Sequence, residues 1–400
     1  MTLKLIRNPG ERTSALTASR NLKMARSAHA YVRGSTVKFY EWLSTSAAKI
    51  PQGPPVWICG DCHLGNLGPL ADIKGRVEVQ IRDLDQTVIG NPAHDLIRLG
   101  LSLASAARGS DLPGVATARI LEALARGYTA ALAGDFTSDR DRSYRPEIIQ
   151  DLLRRSVRRR WRNLADERLK TVEPKLPLGK RFWPLAPEED KALKALFDSV
   201  EIGAAVSGLA GDATGKVELI DAAYWLKGCS SLGRLRFAAM VRVGEGKSAS
   251  MSLIDIKEAT TAAAPRARHV SMPRDNGVRV VTGARALSPN LGDRMIAARL
   301  LDKGVVLREL MPQDLKLEVD RLSVDHAMAL ARYLAGVVGR AHGRQMDSAT
   351  REKWRATLVA AGASSLEAPT WLWADVVELL GIHEAAYLDH CRRYALAQAA

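Results

Sequence analysis

The stretch Gly60-Asp61-Cys62-His63-Leu64-Gly65-Asn66 is followed by Ile81-Arg82-Asp83-Leu84-Asp85, and then by Gly90-Asn91-Pro92-Ala93-His94-Asp95-Leu96. These residue types, in this order, suit phosphoryl transfer, which asks a protein for positioning and for charge neutralisation more than for covalent chemistry. An aspartate beside an acceptor hydroxyl can orient it and take its proton. Asp61 is the candidate for that role, with His63 grouped beside it as a second candidate catalytic residue. Mg2+ is a hard cation that prefers oxygen donors. Asn66 offers an amide oxygen and Asp83 a carboxylate, while Asp85 is a further carboxylate able to take a second ion.

Far downstream, Gly228-Cys229-Ser230-Ser231-Leu232-Gly233 forms a glycine turn. Glycine lets a backbone approach phosphate oxygens, and the hydroxyl of Ser230 or Ser231 adds a donor. Ser252-Leu253-Ile254-Asp255-Ile256-Lys257 then presents Lys257 at the end of a strand-like run. The plain alternative for the turn is an ordinary hairpin.

Elements must carry these residues. Residues 15–48 show helical spacing through Tyr31, Phe39, Trp42 and Leu43, with Gly34 interrupting. Val56-Trp57-Ile58-Cys59 is a short apolar strand running into Gly60, and Val77-Glu78-Val79-Gln80-Ile81 alternates as a strand does. From Asn91 the periodicity is helical to about residue 200. It changes near residue 216, where three strand-like runs (217–220, 234–243 and 250–256) are separated by glycine turns, with another at 305–310. Helical spacing returns over 325–342 and 371–396. Helix-rich, strand-rich, helix-rich is an α+β order, and no repeat or low-complexity tract interrupts it.

Composition sets outer bounds. Apolar and charged fractions of 46% and 26% are those of a globular protein, and no run reaches the ~18 apolar residues of a membrane span. The N-terminus reaches Asn8-Pro9-Gly10 too early for a signal-peptide core, so the expectation is a cytoplasmic protein without a membrane partner. Cys59-Gly60-Asp61-Cys62 has the spacing of a redox pair or half a zinc site, but no second cysteine pair exists to complete four ligands. The net charge of +14 points to an anionic ligand or acceptor. Much of it lies in residues 154–182, read as a solvated helix face flanking a basic loop; no nucleic-acid-binding motif accompanies it, so only charge speaks for nucleic acid.

The loop resembles that of aminoglycoside-phosphotransferase-like kinases, whose pattern is Gly-Asp-x-His-x-x-Asn, a strand, an Asp, then Gly-Asp-Pro-x-x-Asp-Leu. The spacing from metal aspartate to proline is nine in that pattern and 92 − 83 = 9 here, with Asn91 standing where an aspartate is usual. Over roughly residues 20–345 the chain also resembles the bacterial domain-of-unknown-function 2252 family. The matching signatures include Lys23-Met24, Tyr31-x-Arg33-Gly34, Asp83-x-Asp85, Gly228-x-x-Ser231-x-Gly233, Lys257-Glu258-Ala259 and Arg340-Ala341-His342-x-Arg344.

The resemblance implies Asp61 as catalytic base, Asn66 and Asp83 as metal ligands, and Asp95 as a structural cap behind the loop. It implies Lys257 and the 228–233 turn on the phosphates of ATP, and Arg308 to Met311 as strand and hinge beside the adenine. Because the loop precedes the sheet in this chain, it also implies a circular permutation of a two-lobed kinase-like fold. Residues 1–211 then form a helical lobe with catalytic loop and metal segment, 212–312 a sheet-rich nucleotide lobe, and 313–400 the remaining helices.

Kinases pair the strand lysine with a helix glutamate. Between Ala259 and Leu300 the sequence has only Asp275 and Asp293, and Glu258 faces away from Lys257, so sequence leaves that partner unidentified. The expected function is ATP- and Mg2+-dependent phosphoryl transfer to a hydroxyl of a small molecule or protein. Adenylyl transfer on the same fold and a non-catalytic nucleotide-binding pseudokinase with an acidic partner are the alternatives.

Overall fold

Asn8 opens the first helix: its side chain accepts from the Gly10 amide at 2.9 Å, and Pro9 supplies a helical φ in the first turn. The computed structural model describes residues 5–46, 50–134, 145–161, 163–164, 175–209, 215–228, 232–246, 249–317, 323–361 and 369–396. The helical stretch read from sequence is three helices, α1 (Pro9–Met24), α2 (Ala28–Gly34) and α3 (Thr36–Ser46). Gly34 is the last residue of α2, as its interruption of the pattern suggests. The earlier break arises because the Ser27 side chain caps α2 through the Ala30 amide.

Next come four short strands, β1 (Val56–Ile58), β2 (Leu67–Ala71), β3 (Val77–Ile81) and β4 (Val88–Gly90). β1 pairs antiparallel with β4, and β2 with β3. β2 and β4 are absent from the periodicity reading, being too short or too evenly apolar to alternate. Helices α4 (Ala93–Gly109), α5 (Gly114–Ala133) and α6 (Glu147–Val157) follow.

The second part is an antiparallel sheet of six strands, in the order β5-β6-β7-β8-β10-β9. Its members are β5 (Phe182–Trp183), β6 (Val217–Trp225), β7 (Arg236–Val243), β8 (Ser250–Glu258), β9 (Met295–Leu300) and β10 (Lys303–Glu309). Helices α7 (Pro187–Asp198) and α8 (Val200–Leu209) lie between β5 and β6, and α9 (Asn276–Leu287) with α10 (Pro289–Gly292) between β8 and β9. Three helices close the chain: α11 (Val324–Gly343), α12 (Ser348–Ala361) and α13 (Thr370–Tyr394).

Two cores hold this together. The larger joins Phe39, Leu64, Leu96 and Leu121 to Leu330, Leu334, Val338 and Leu372, so residues 32–153 and 327–379 share one interior. Glycine makes that close approach: a Cβ on Gly339 would press on the Tyr128 carbonyl at 2.9 Å, and one on Gly127 would strike the Arg332 backbone. The second core lies on one sheet face, where Phe237, Ile254, Ile256, Val305 and Leu307 meet Trp183, Leu193, Phe197 and Val206, together with Leu16 of α1. The chain is therefore α+β, with a sheet whose interior draws on segments before residue 212. Among the described residues no helix is long and apolar enough to cross a membrane.

Candidate functional site

The catalytic-loop segment is fixed from below. Asp95, in the first turn of α4, accepts from the amides of Cys59 (2.7 Å) and Gly60 (3.0 Å). His342 of α11 lies 3.1 Å from the same carboxylate, Tyr128 bonds its other ring nitrogen at 2.9 Å, and the Trp354 indole donates to Tyr128. This buried chain runs from α12 to the loop, so the expected cap at Asp95 is what the structure shows. Gly60 has φ +74°, and a Cβ there would run into the Gln86 carbonyl, so the turn admits glycine alone.

Asp61 follows, 13% exposed. Arg98 of α4, fully buried, donates to its Oδ1 at 3.0 Å, and Thr36 of α3 also bonds the carboxylate. Burial pushes the Asp61 carboxyl up, against the lowering by Arg98 and Thr36. That direction strengthens it as a proton acceptor. His63 is buried, with Nε2 3.9 Å from Asp61 Oδ2 and no hydrogen-bond partner for Nδ1. Burial, then the charges of Arg33 and Arg98, hold it well below the usual imidazole range, so it is neutral. Asn66 donates its amide nitrogen to the Asp61 carbonyl at 2.9 Å, which leaves its amide oxygen as the end available to a cation.

The second half of the site comes from the sheet. In register, Arg236 of β7 lies opposite Lys257 of β8, and Arg308 of β10 lies opposite Asp255. Side chains two apart on a strand share a face, so Arg236, Asp255, Lys257 and Arg308 all project from the face turned away from the Phe237–Ile254–Leu307 core. Arg236 grips Asp255 at 2.9 and 2.6 Å, and Lys227 adds a third contact at 3.0 Å. Burial pushes Asp255 up, but these two cations more than reverse it, and its carboxyl lies far below the usual range.

The missing partner of Lys257 is now visible. Its ammonium lies 3.3 Å from both oxygens of Asp83 and in an ion pair with Asp85. Asp83 is pushed up by burial, but Lys257 and Arg236 outweigh this and hold it well below the usual carboxylate range. Asp85, buried and repelled by Asp83, is pushed up to about 6. The helix after the lysine strand, α9, carries no glutamate and supplies Arg279 instead. That buried guanidinium donates to the backbone carbonyls of Asp85 (3.0 Å), Thr87 and Thr260 (2.8 Å), so it holds the loop that carries the carboxylates.

The residues singled out from sequence do not all fall together. Asp61, His63, Asn66 and Asp83 line one chamber with Gly228, Arg308 and Met311, and Lys257 lines an adjoining one with Asp83, Asp85 and Arg308. Gly228, at φ +88°, borders the cleft and accepts from Lys23. Gly233 is turned toward Thr13 and Thr17 of α1 and lines neither chamber. Ser230 and Ser231 lie outside the described residues. Arg308 is tied to Asp314 at 2.9 Å and to the Arg82 carbonyl at 3.1 Å. The cysteines of the 59–62 pair are both free and buried, and burial pushes the Cys59 thiol well up, the reverse of a reactive thiolate. Among the described residues no group of three or more His, Cys, Asp or Glu side chains is arranged to hold a metal.

Sequence reading missed Arg98, Arg236, Asp255 and Arg279. Each carried a faint signal, a charge at a position where its element's spacing is otherwise apolar: Arg98 between Ile97 and Leu99, Asp255 between Ile254 and Ile256. The basic 154–182 segment is described in part. Within it, Arg159, just past the end of α6, donates to the Pro312 carbonyl at 2.6 Å and braces the segment after β10.

A helical core presenting an arginine-held aspartate, and an antiparallel sheet presenting a charged face, meet across one cleft. The chain belongs to the family described as uncharacterized protein conserved in bacteria (DUF2252), whose profile matches residues 12–393. No curated protein and no solved structure matches it.

Proposed function

We propose that the protein is an ATP- and Mg2+-dependent phosphotransferase on a two-lobed, kinase-like scaffold in circularly permuted order, acting on a hydroxyl of a small molecule or protein. The observation that carries this is the meeting of Asp83 with Lys257, 174 residues apart in the chain, beside Asp61 and Asn66. Counting β6, β7 and β8, Lys257 stands on the third strand of its lobe's main run, as the phosphate-binding lysine of protein kinases does. Permutation is supported by the terminal helices: Tyr387 and His390 of α13 bond the Ala25 and Asn21 carbonyls at the end of α1, so the last helix packs on the first.

The donor set fits a hard cation: the Asn66 amide oxygen and the cleft-facing Asp83 carboxylate are oxygen ligands, and Asp83 is 44% exposed. An Mg2+ ion held by these two residues would neutralise phosphate charge. Lys257 would take the α- and β-phosphates, with Asp85 as its remaining anchor. Arg98 and Thr36 orient the Asp61 carboxylate, which would accept the acceptor's hydroxyl proton. The acceptor oxygen then bonds to the γ-phosphorus as the bond to the departing ADP breaks.

One observation favours a second reading. Arg82, Lys227, Arg308 and Lys316 crowd the chamber beside Met311, where an adenine would sit. Phosphates at that end would belong to a nucleotide bound in the opposite sense and would make the reaction AMP transfer. Purified protein with Mg2+ and γ- or α-labelled ATP separates the cases. The γ label moving to an acceptor or to water supports the first reading, and the α label becoming protein- or acceptor-bound supports the second. Nucleotide binding with neither label transferred leaves a pseudokinase.

A further inference from the structure

A third chamber adjoins the two described above and shares Asp61, Asn66 and Asp83 with the first. Its other walls are different. They come from the α2–α3 junction at Gly34, Thr36 and Val37, from Arg20 of α1, and from Arg234 just before β7. Asp61 and Asp83 therefore stand in the partition between a chamber bordered by Gly228 and Met311 and one bordered by the N-terminal helices. A transfer reaction needs this arrangement, with donor and acceptor on the two sides of the reacting carboxylates.

The third chamber has a charge anomaly. Arg20 is partly buried, yet among the described residues no side chain pairs with it by hydrogen bond or ion pair. Arg234 makes one bond, to the Thr260 hydroxyl at 2.9 Å. With no acid beside it, the planar fork of a guanidinium is open to a carboxylate or phosphate, whose geometry it matches. The acids here, Asp61, Asp83 and Asp85, are already taken by Arg98 and Lys257. The volume, about 130 Å³, suits a small molecule.

We infer that this chamber is the acceptor subsite, and that the acceptor is a small hydroxyl compound bearing a phosphate or carboxylate group held by Arg20 and Arg234. The inference rests on the proposed reading of Asp61 as the group that faces the acceptor.

Arginine modification of the full chain by phenylglyoxal, read residue by residue by peptide mass mapping, tests it. At ionic strength matched with chloride, millimolar inorganic phosphate or citrate should slow modification of Arg20 about tenfold, with Arg234 slowed alongside and the exposed Arg76 unaffected. Phosphate without citrate identifies a phosphorylated acceptor, and citrate without phosphate a carboxylated one. A Mg2+ complex of a non-hydrolysable ATP analogue should instead slow Arg308 and leave Arg20 alone. If neither anion slows Arg20, the acceptor subsite is overturned, while protection of Arg308 by the analogue keeps the nucleotide reading standing. Slowing of Arg20 by the analogue also overturns it and moves that arginine to the donor side. In Arg20→Gln, protection of Arg234 should be lost, and Arg20→Lys should restore part of it; retention in Arg20→Gln counts against the paired site.

Discussion

At the scale of single residues, Asp61 and Asp83 differ in what holds them, so their loss should differ in kind. The Asp61 carboxylate is held by Arg98 and Thr36 on the protein side. We expect Asp61→Asn to fold, to bind Mg2+-ATP nearly as well as the unaltered chain, and to lose ~10²–10⁴ in transfer rate. Asp83 pairs with Lys257 and is a ligand of the proposed cation site, so Asp83→Ala should abolish Mg2+-dependent binding or turnover. Calorimetric titration with and without Mg2+, beside a labelled-ATP assay, reads both; full transfer by Asp61→Asn would remove the base assignment.

The buried imidazoles set a pH limit of their own. Burial lowers His94 and His383 to about 4, with Asp95 opposing the shift at His94. Unfolded, both protonate near 6.5; folded, they stay neutral down to about 4. Their contribution to stability is fully present above pH 6.5 and is lost as the pH falls from about 6.5 to about 4, by at most about 3 kcal/mol each. Urea denaturation at stepped pH should show this slope, and His383→Gln should flatten it; an unchanged slope would contradict the role given to His383.

Among elements, α9 has the part most easily overlooked. It reaches the site through Arg279, which touches no cleft-lining side chain yet holds the backbone of the loop that carries Asp85. Replacing it by leucine leaves the carbonyls of Asp85, Thr87 and Thr260 without their donor in a buried place, at a cost of about 3 kcal/mol or more. A purely structural role would lower the melting temperature and nothing else. We expect in addition that Arg279→Leu weakens Mg2+-ATP binding, because Asp83 and Asp85 ride on that loop, and that Arg279→Lys recovers part of both. Binding measured well below the melting temperature separates the two effects.

For the whole molecule, the test is connectivity. The ends of α1 and α13 are joined by the Ala25 and Asn21 contacts, and the large core is built from both ends of the sequence. A chain opened between Leu209 and Gly215, with a flexible linker from residue 396 to residue 5, restores the sheet-first order of unpermuted kinases. It should fold, melt within several degrees of the natural chain and bind nucleotide alike. Failure to fold would show that the present order is required, against the permutation proposed.

Local physics was legible in the sequence. The order and spacing of Asp61, Asn66 and Asp83 and the strand that bears Lys257 rest on short motifs and on one period of a strand, whereas the cap at Asp95, 35 and 36 residues from the amides it holds, came with the resemblance. Family membership was legible for the same reason, since its signatures are short and ordered. What lay beyond reach were pairings between distant positions. Asp83 and Asp85 meet Lys257 across some 174 residues, and His342 meets Asp95 across 247. Neither distance leaves a periodic trace. Arg98, Arg279 and Asp255 read as isolated polar residues in apolar elements until the fold put an acid, three carbonyls and two cations against them. Alternation along β8 fixed that Asp255 and Lys257 share a face; only the stacking of that face against the helical core decided that it borders the cleft.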